Sequence, residues 1–169
     1  MHEYARTNPP GAATRYARGM PESEAVTSPS PFIQLAGAVP PHRTEHVTVR
    51  LWWPVPALMV TQVRGHLDAE SARFLARALR DHLTSTKVRL VGFHDWTELM
   101  DYDSHARIVL TDVAREALPR SDGTHVLIAS PLVAFGIRAA SVILRNVHAY
   151  STRTAFEGTL VSTVQRLAM

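Results

Sequence analysis

LMVTQVRGHLDAESARFLARALRDHL, residues 58–83, is the stretch on which the fold turns. Leu58 to Val63 is a short run rich in apolar and β-branched residues, which reads as a strand, and Gly65 follows where a tight turn is needed. Asp68 then stands as a helix N-cap, its carboxylate placed to accept from the first free backbone amides. Beyond it Ala72, Leu75, Ala76, Leu79 and Leu83 recur at helical spacing, while Glu70, Arg73, Arg77 and Asp81 take the opposite face. A strand that feeds directly into an amphipathic helix is the first half of a parallel βαβ unit.

The same pattern continues on both sides. Upstream, Val47, Val49 and Leu51 alternate with Thr48 and Arg50, predicting a strand that ends at Trp53 before Pro54 and Pro56. Downstream, Val88 to Phe93 reads as a strand, and a helix after Ser104 turns Ala106, Val109, Leu110, Val113 and Ala117 inward. Val126 to Ala129 makes a buried strand, and Ser130-Pro131 opens a helix running to about Leu144. His148 to Tyr150 is a last strand, and Thr152 caps a closing helix carrying Phe156, Leu160, Val164 and Leu167. The order β-β-α-β-α-β-α-β-α predicts an α/β fold, a mostly parallel sheet of about five strands covered by helices, with the first strand as an antiparallel edge. Loops after the carboxyl ends of parallel strands gather on one rim, here Gly65 to Asp68, His94 to Ser104, Ser130 and Ser151.

Residues 46–169 are therefore read as one domain and residues 1–45 as a disordered or loosely docked tail. Seven prolines interrupt the tail, which has too little apolar surface to offset its ordering entropy. Phe32, Ile33, Leu35 and Val39 are its exception, able to dock on the domain or a partner. Trp52 and Trp53 are adjacent and so face opposite sides of the first strand, which leaves at least one on the solvent side or under the tail.

The chain carries Lys+Arg 18 against Asp+Glu 15, and the basic residues alternate with acids along the helices instead of clustering, which disfavours a nucleic-acid partner. Arginine outnumbers lysine seventeen to one, the signature of a GC-rich bacterial genome. With no cysteine there is no disulfide, thiolate nucleophile or Cys-ligated zinc. No apolar run approaches the ~18 residues a membrane-spanning helix requires. A cytoplasmic protein with no cofactor is the expectation.

Two motifs fall in the loops that this topology assigns to the rim. Gly65-His66-Leu67-Asp68 closes one strand and opens the first long helix; Asp95 is followed eight residues later by Asp103-Ser104 at the next helix start. Over roughly Val47 to Leu160 the chain resembles the STAS domain family of anti-sigma-factor antagonists, with its Gly-x-Leu-Asp pattern, its acidic residue after the third strand and its Asp-Ser pair. The resemblance implies a STAS/SpoIIAA-like fold and a non-enzymatic regulatory module that docks on a protein, an anti-sigma factor, a serine-kinase-like protein or another signalling partner. It makes Ser104 the matching phospho-acceptor and Gly65, His66, Asp68, Asp95, Asp103 and His105 the interaction edge. The family's Ser or Thr followed by Gly is replaced here by His105-Ala106, and Asp101 and Asp103 already place negative charge beside Ser104. The residues alone leave a second reading of Ser104 open, that of a plain helix cap.

The helix from Pro131 is apolar on nearly every face, including Leu132, Phe135, Ile137 and Ile143. It reads either as deeply packed beneath the tail or as an interface for a partner or a second copy in a homodimer. A different class of function, binding of a small nucleotide or lipid, would use this helix to line a pocket. Hydrolase chemistry is disfavoured: Ser104 and His105 point ~100° apart on a helix, and no Gly-x-Ser-x-Gly elbow is present. The segment with Asp95, Glu98, Asp101 and Asp103 reads as a solvated acidic loop without the glycine of a calcium loop, and His42 with His46 reads as a pair of surface histidines.

Overall fold

Right-handed crossovers fix where the helices lie once the strand order is known. The computed structural model describes residues 35–142, 144 and 146–169. In these, β1 (His42–Arg43), β2 (Val47–Val55), β3 (Leu58–Leu67), β4 (Leu90–Tyr102), β5 (Ser121–Ile128) and β6 (Val147–Tyr150) form a sheet in that sequential order. β1, β2 and β3 pair antiparallel, and β3 to β6 run parallel. The intervening helices are α1 (Ala69–Ser85), α2 (Ser104–Ala117) and α3 (Pro131–Ser141), with α4 (Arg153–Leu167) closing the chain. Each crossover moves to the next strand in the same direction, so right-handedness sends all three connecting helices to one face and leaves the other to α4.

The two cores bear this out. On the first face Val49, Leu51, Met59, Val63 and Leu67 pack with Ala72 and Leu75 of α1, Ala106 of α2 and Val133 of α3. On the second, Trp52, Leu58, Val60, Phe93 and Leu127 pack with Phe156 and Leu160 of α4. Phe156 is fully buried and meets Phe93 edge-on at 5.4 Å, a contact class that adds to the ~2–3 kcal/mol gained by burying the ring. A bidentate pair from Arg80 to Glu116, 2.7 and 2.8 Å, joins α1 to α2 at the surface.

The structure departs from the sequence pattern in several places. β2 continues through Pro54 to Val55, because its pairing with β3 shifts register between Trp52 and Val55, where a residue without an N–H does no harm. Leu35 to Arg43, part of the segment read as a tail, lies on the sheet: Ala38 bridges Trp52, the Val39 N–H donates to the Leu51 carbonyl at 2.9 Å, and the Trp53 N–H donates to the Gly37 carbonyl at 2.9 Å. β1 therefore lies outside β2, which is not the edge. Leu35 covers the core around Trp52, while Trp53 stacks on His82 with ring centroids 3.7 Å apart, so neither tryptophan is bare. Phe32 and Ile33 lie outside the described residues.

The largest correction concerns β4. Its predicted end at Phe93 is wrong by nine residues: the strand runs 13 residues to Tyr102. Asp95, Glu98 and Asp101 are thus strand residues, not members of a solvated loop. β4 pairs with β5 only as far as Trp96↔Ile128, but with β3 as far as Leu67↔Tyr102, so β3 and β4 project together past the rest of the parallel sheet. α3 is shorter than expected, ending at Ser141.

Candidate functional site

The projecting ends of β3 and β4 bring the two sequence motifs side by side. Gly65 has φ +98°, and any side chain there would run into the His46 carbonyl, so only glycine fits against β2. The next residue, His66, donates its backbone N–H to that same carbonyl at 2.9 Å. Asp68 occupies the N-cap of α1 as expected, accepting from the Ser71 N–H at 2.7 Å and the Thr44 hydroxyl at 2.8 Å. Burial works to raise the Asp68 carboxyl, but the bonds from Ser71 and Thr44 outweigh it and hold the group below its usual range. Across the rim, the Asp103 N–H donates to the Leu67 carbonyl at 3.0 Å, which fixes the start of α2 to the end of β3.

His66 is the centre of this rim. Its Nδ1 meets the Asp101 carboxylate, and its Nε2 lies 2.9 Å from the Asp103 carboxylate. Neutral imidazole has a single N–H, so two carboxylates held on opposite ring nitrogens require the imidazolium. The hydrogen bond to Asp101, then that to Asp103, accordingly raise the His66 pKa above its usual value, against a smaller opposing effect of burial. The sign for stability follows: this bridge contributes fully below about pH 6.5, the ordinary histidine value, and is lost as pH rises through the elevated folded value. An NMR titration of the His66 ring should give a midpoint above the ordinary value, returning toward it in an Asp101→Asn/Asp103→Asn variant. An unshifted midpoint in the wild type would remove the bridge.

Asp103, not Ser104, is the N-cap residue of α2, and its side chain bonds no amide of that helix because it is turned to His66. Ser104 is the first helical residue and is exposed, as is His105. The helix-cap reading of Ser104 is therefore incorrect. Gly65, His66, Asp68, Asp103, Ser104 and His105 do share one rim. Asp95 does not belong to it: the side chain is 1% exposed and is held by Arg153 at 3.1 Å, the Thr97 hydroxyl at 2.7 Å and the Thr97 N–H at 3.2 Å. Glu98 pairs with Arg64 at 3.1 Å. Each acid of the supposed acidic loop has a basic partner from another element, which no local reading could supply. Among the described residues no group of three His, Cys, Asp or Glu side chains is placed to hold a metal ion.

Of the proposed apolar surface, Leu132 and Phe135 are 54% and 72% exposed, Ile137 is half-buried against the first core, and Ile143 lies outside the described residues. The pairing of Asp101 with His66, and Arg153 as the partner of Asp95, are what the sequence did not reveal, since these partners lie 35 and 58 positions apart. No helix of the described residues is long and apolar enough to cross a membrane.

No protein-family model matches the sequence, and no curated protein matches it. Solved structures do. An uncharacterized protein of the DUF3478 family with a SpoIIAA-like fold, from Shewanella loihica PV-4, aligns with a TM-score of 0.51 at 15% identity, covering 73% of this chain and 94% of that one. The anti-sigma factor antagonist SpoIIAA in its unphosphorylated form aligns with a TM-score of 0.50 at 16% identity, covering 69% of this chain and 97% of that one. At such identities the likeness speaks for the fold alone: the chain has a SpoIIAA-like α/β fold.

Proposed function

We propose that this chain is a regulatory interaction domain that docks its β3–β4 rim on a cytoplasmic protein partner and carries no chemistry of its own. The partner class is that of an anti-sigma factor, a serine-kinase-like protein or a comparable signalling protein. The observation that carries the reading is the exposed Ser104 hydroxyl at the first position of α2, on the rim where His66 joins Asp101 and Asp103. A hydroxyl in that position is open to a kinase, and a phosphate there would add a charge near −2 beside Asp103. The exposed Leu132 and Phe135 of α3 supply apolar contact area for the same partner.

Affinity capture from the native host tests this with wild type, Ser104→Ala, Ser104→Asp and Phe135→Asp, read by mass spectrometry for partners and for phosphate. We expect wild type and Ser104→Ala to hold one partner that Ser104→Asp and Phe135→Asp lose by about tenfold or more, as like charge or desolvated charge at an interface demands. Phosphate should appear on wild-type Ser104. Capture of the same set by all four, with no phosphate, would overturn both the switch and the docking surface.

A further inference from the structure

α2 carries a stripe of residues turned away from its neighbour α1. At ~100° per residue, Arg107, Thr111, Ala114 and Leu118 fall within about 60° of one another around the helix axis. They stand half a turn from Glu116, which pairs with Arg80 of α1, so the stripe looks toward α3. α2 packs chiefly on α1, and α3 on β4, β5 and β6, which leaves a gap between α2 and α3. Behind the gap lies a cavity of about 500 Å³, lined by all four residues of the stripe and by Ile137 of α3. Sites that hold small molecules span roughly 300–1,000 Å³ with mostly apolar walls. Two residues of the floor show that solvent reaches it. Phe93 and Leu127 pack under α4, so by alternation His94 and Thr124 point to the opposite face, beneath the three connecting helices. Both lie in strands paired on two sides, yet both are only half-buried.

The walls are mostly apolar, but their charge is not balanced. Arg107, Asp112 and Arg115 are the charged side chains of the lining. Arg115 donates to Asp112 at 3.0 Å, so these two cancel. Arg107 is exposed at the end of the stripe nearest the start of α2, and among the described residues no carboxylate lies within ion-pair distance of it. Thr111, Ser121 and Thr124 add hydroxyls without charge. His94, joined through Nδ1 to the Thr61 hydroxyl at 2.8 Å, is neutral near pH 7, because burial and then His125 push it down to about 4. The lining therefore carries one unbalanced positive charge, at the mouth.

We propose that this cavity binds a medium-chain amphiphile with a carboxylate head, its hydrocarbon chain lying between α2, α3 and the sheet and its carboxylate pairing with Arg107 at the mouth. The apolar walls favour the chain, because surface taken from water is the dominant gain in such a site. A guanidinium matches a carboxylate with two parallel N–H···O bonds, whereas a hydroxyl head would leave the charge unanswered and a cationic head would meet it as a like charge. This site does not rest on docking by the β3–β4 rim.

Three probes with one tail and different heads test this on the full chain at neutral pH: decanoate, 1-decanol and decyltrimethylammonium, titrated by calorimetry below the concentrations at which they aggregate. We expect decanoate to bind with one-to-one stoichiometry and about tenfold more tightly than 1-decanol, with decyltrimethylammonium weakest. Arg107→Gln should bring decanoate down to the affinity of 1-decanol and leave 1-decanol unchanged. Arg77→Gln, which removes the same charge from an exposed position on α1, should change neither. Ala114→Trp, which fills the gap from the stripe, should weaken both by about tenfold or more. The methyl resonances of Leu110 and Ile137, both on the lining, should shift on saturation with decanoate, a readout that stands even if Ala114→Trp does not fold. The proposal is overturned if decanoate does not bind or binds in many copies, if 1-decanol or the cation binds as tightly, if Arg107→Gln and Arg77→Gln act alike, if a folded Ala114→Trp binds as wild type does, or if the methyl resonances do not move.

Discussion

Gly65→Ala is expected to destabilise the protein by at least about 3 kcal/mol, the scale of a backbone position that admits no side chain. Two costs add at this residue. Its φ of +98° lies where an L-residue is strained, and the new methyl would overlap the His46 carbonyl. That carbonyl cannot withdraw freely, since it accepts the His66 N–H at 2.9 Å and sits where Val47 pairs with Gly65. Relief must come from opening the end of the β2–β3 ladder, which moves His66 away from Asp101 and Asp103. Urea unfolding followed by tryptophan fluorescence measures the loss, and the His66 ring resonances report the displacement. Gly158→Ala is the control: no atom comes near a methyl group there, in the middle of α4, and this change should stabilise by ~0.5–1 kcal/mol. If the two substitutions have similar effects, the account of Gly65 is wrong.

Arg153→Met is the second large effect, with an expected loss of ~2–4 kcal/mol. Asp95 is 1% exposed, while the Arg153 side chain that pairs with it is 43% exposed. Removing the arginine therefore strands a buried carboxylate, whereas the arginine itself has access to water. The expected loss lies at or below the range for fully buried pairs because solvent screens the guanidinium side. Thr97 keeps two bonds to Asp95, and Gln62, at 3.4 Å, is too distant to replace the charge. The arginine also anchors the start of α4, whose N-cap Thr152 makes no side-chain cap bond. Asp95→Leu/Arg153→Met should recover most of the stability that Arg153→Met loses, because neither variant site then holds a buried charge. Chemical denaturation of wild type, single and double variants measures the cycle; a double variant as unstable as the single one would show that the pair is not the cause.

The residues of the rim differ in how far they are legible in the sequence. His66 and Ser104 were both visible in the sequence as members of motifs, and their place on one rim followed from strand–helix alternation. Asp101 is visible in the sequence only as a charge near Ser104 and as a member of an acidic segment. Its pairing with His66 depends on the parallel register His66↔Asp101, and a register between strands separated by a whole helix has no local signal. The burial of Asp95 is hidden from the sequence for a similar reason. A polar residue after an apolar run reads as the start of a loop, and only Arg153, 58 residues later, makes its burial tolerable.

What the sequence by itself determined was the set of elements and their order: period-two strands, the Asp68-capped helix with its apolar stripe, and the alternation that commits the chain to a parallel sheet with helices on it. Those features are local, arising from backbone geometry and side-chain spacing within a few turns. Tertiary structure alone decided how far β4 runs, which acids are buried, which ring nitrogens of His66 find carboxylates, and where Gly136 of α3 makes room for the Tyr102 hydroxyl. Each of these depends on a group brought in from a distant part of the chain, and the free energy of burying or pairing a side chain is set by that neighbour.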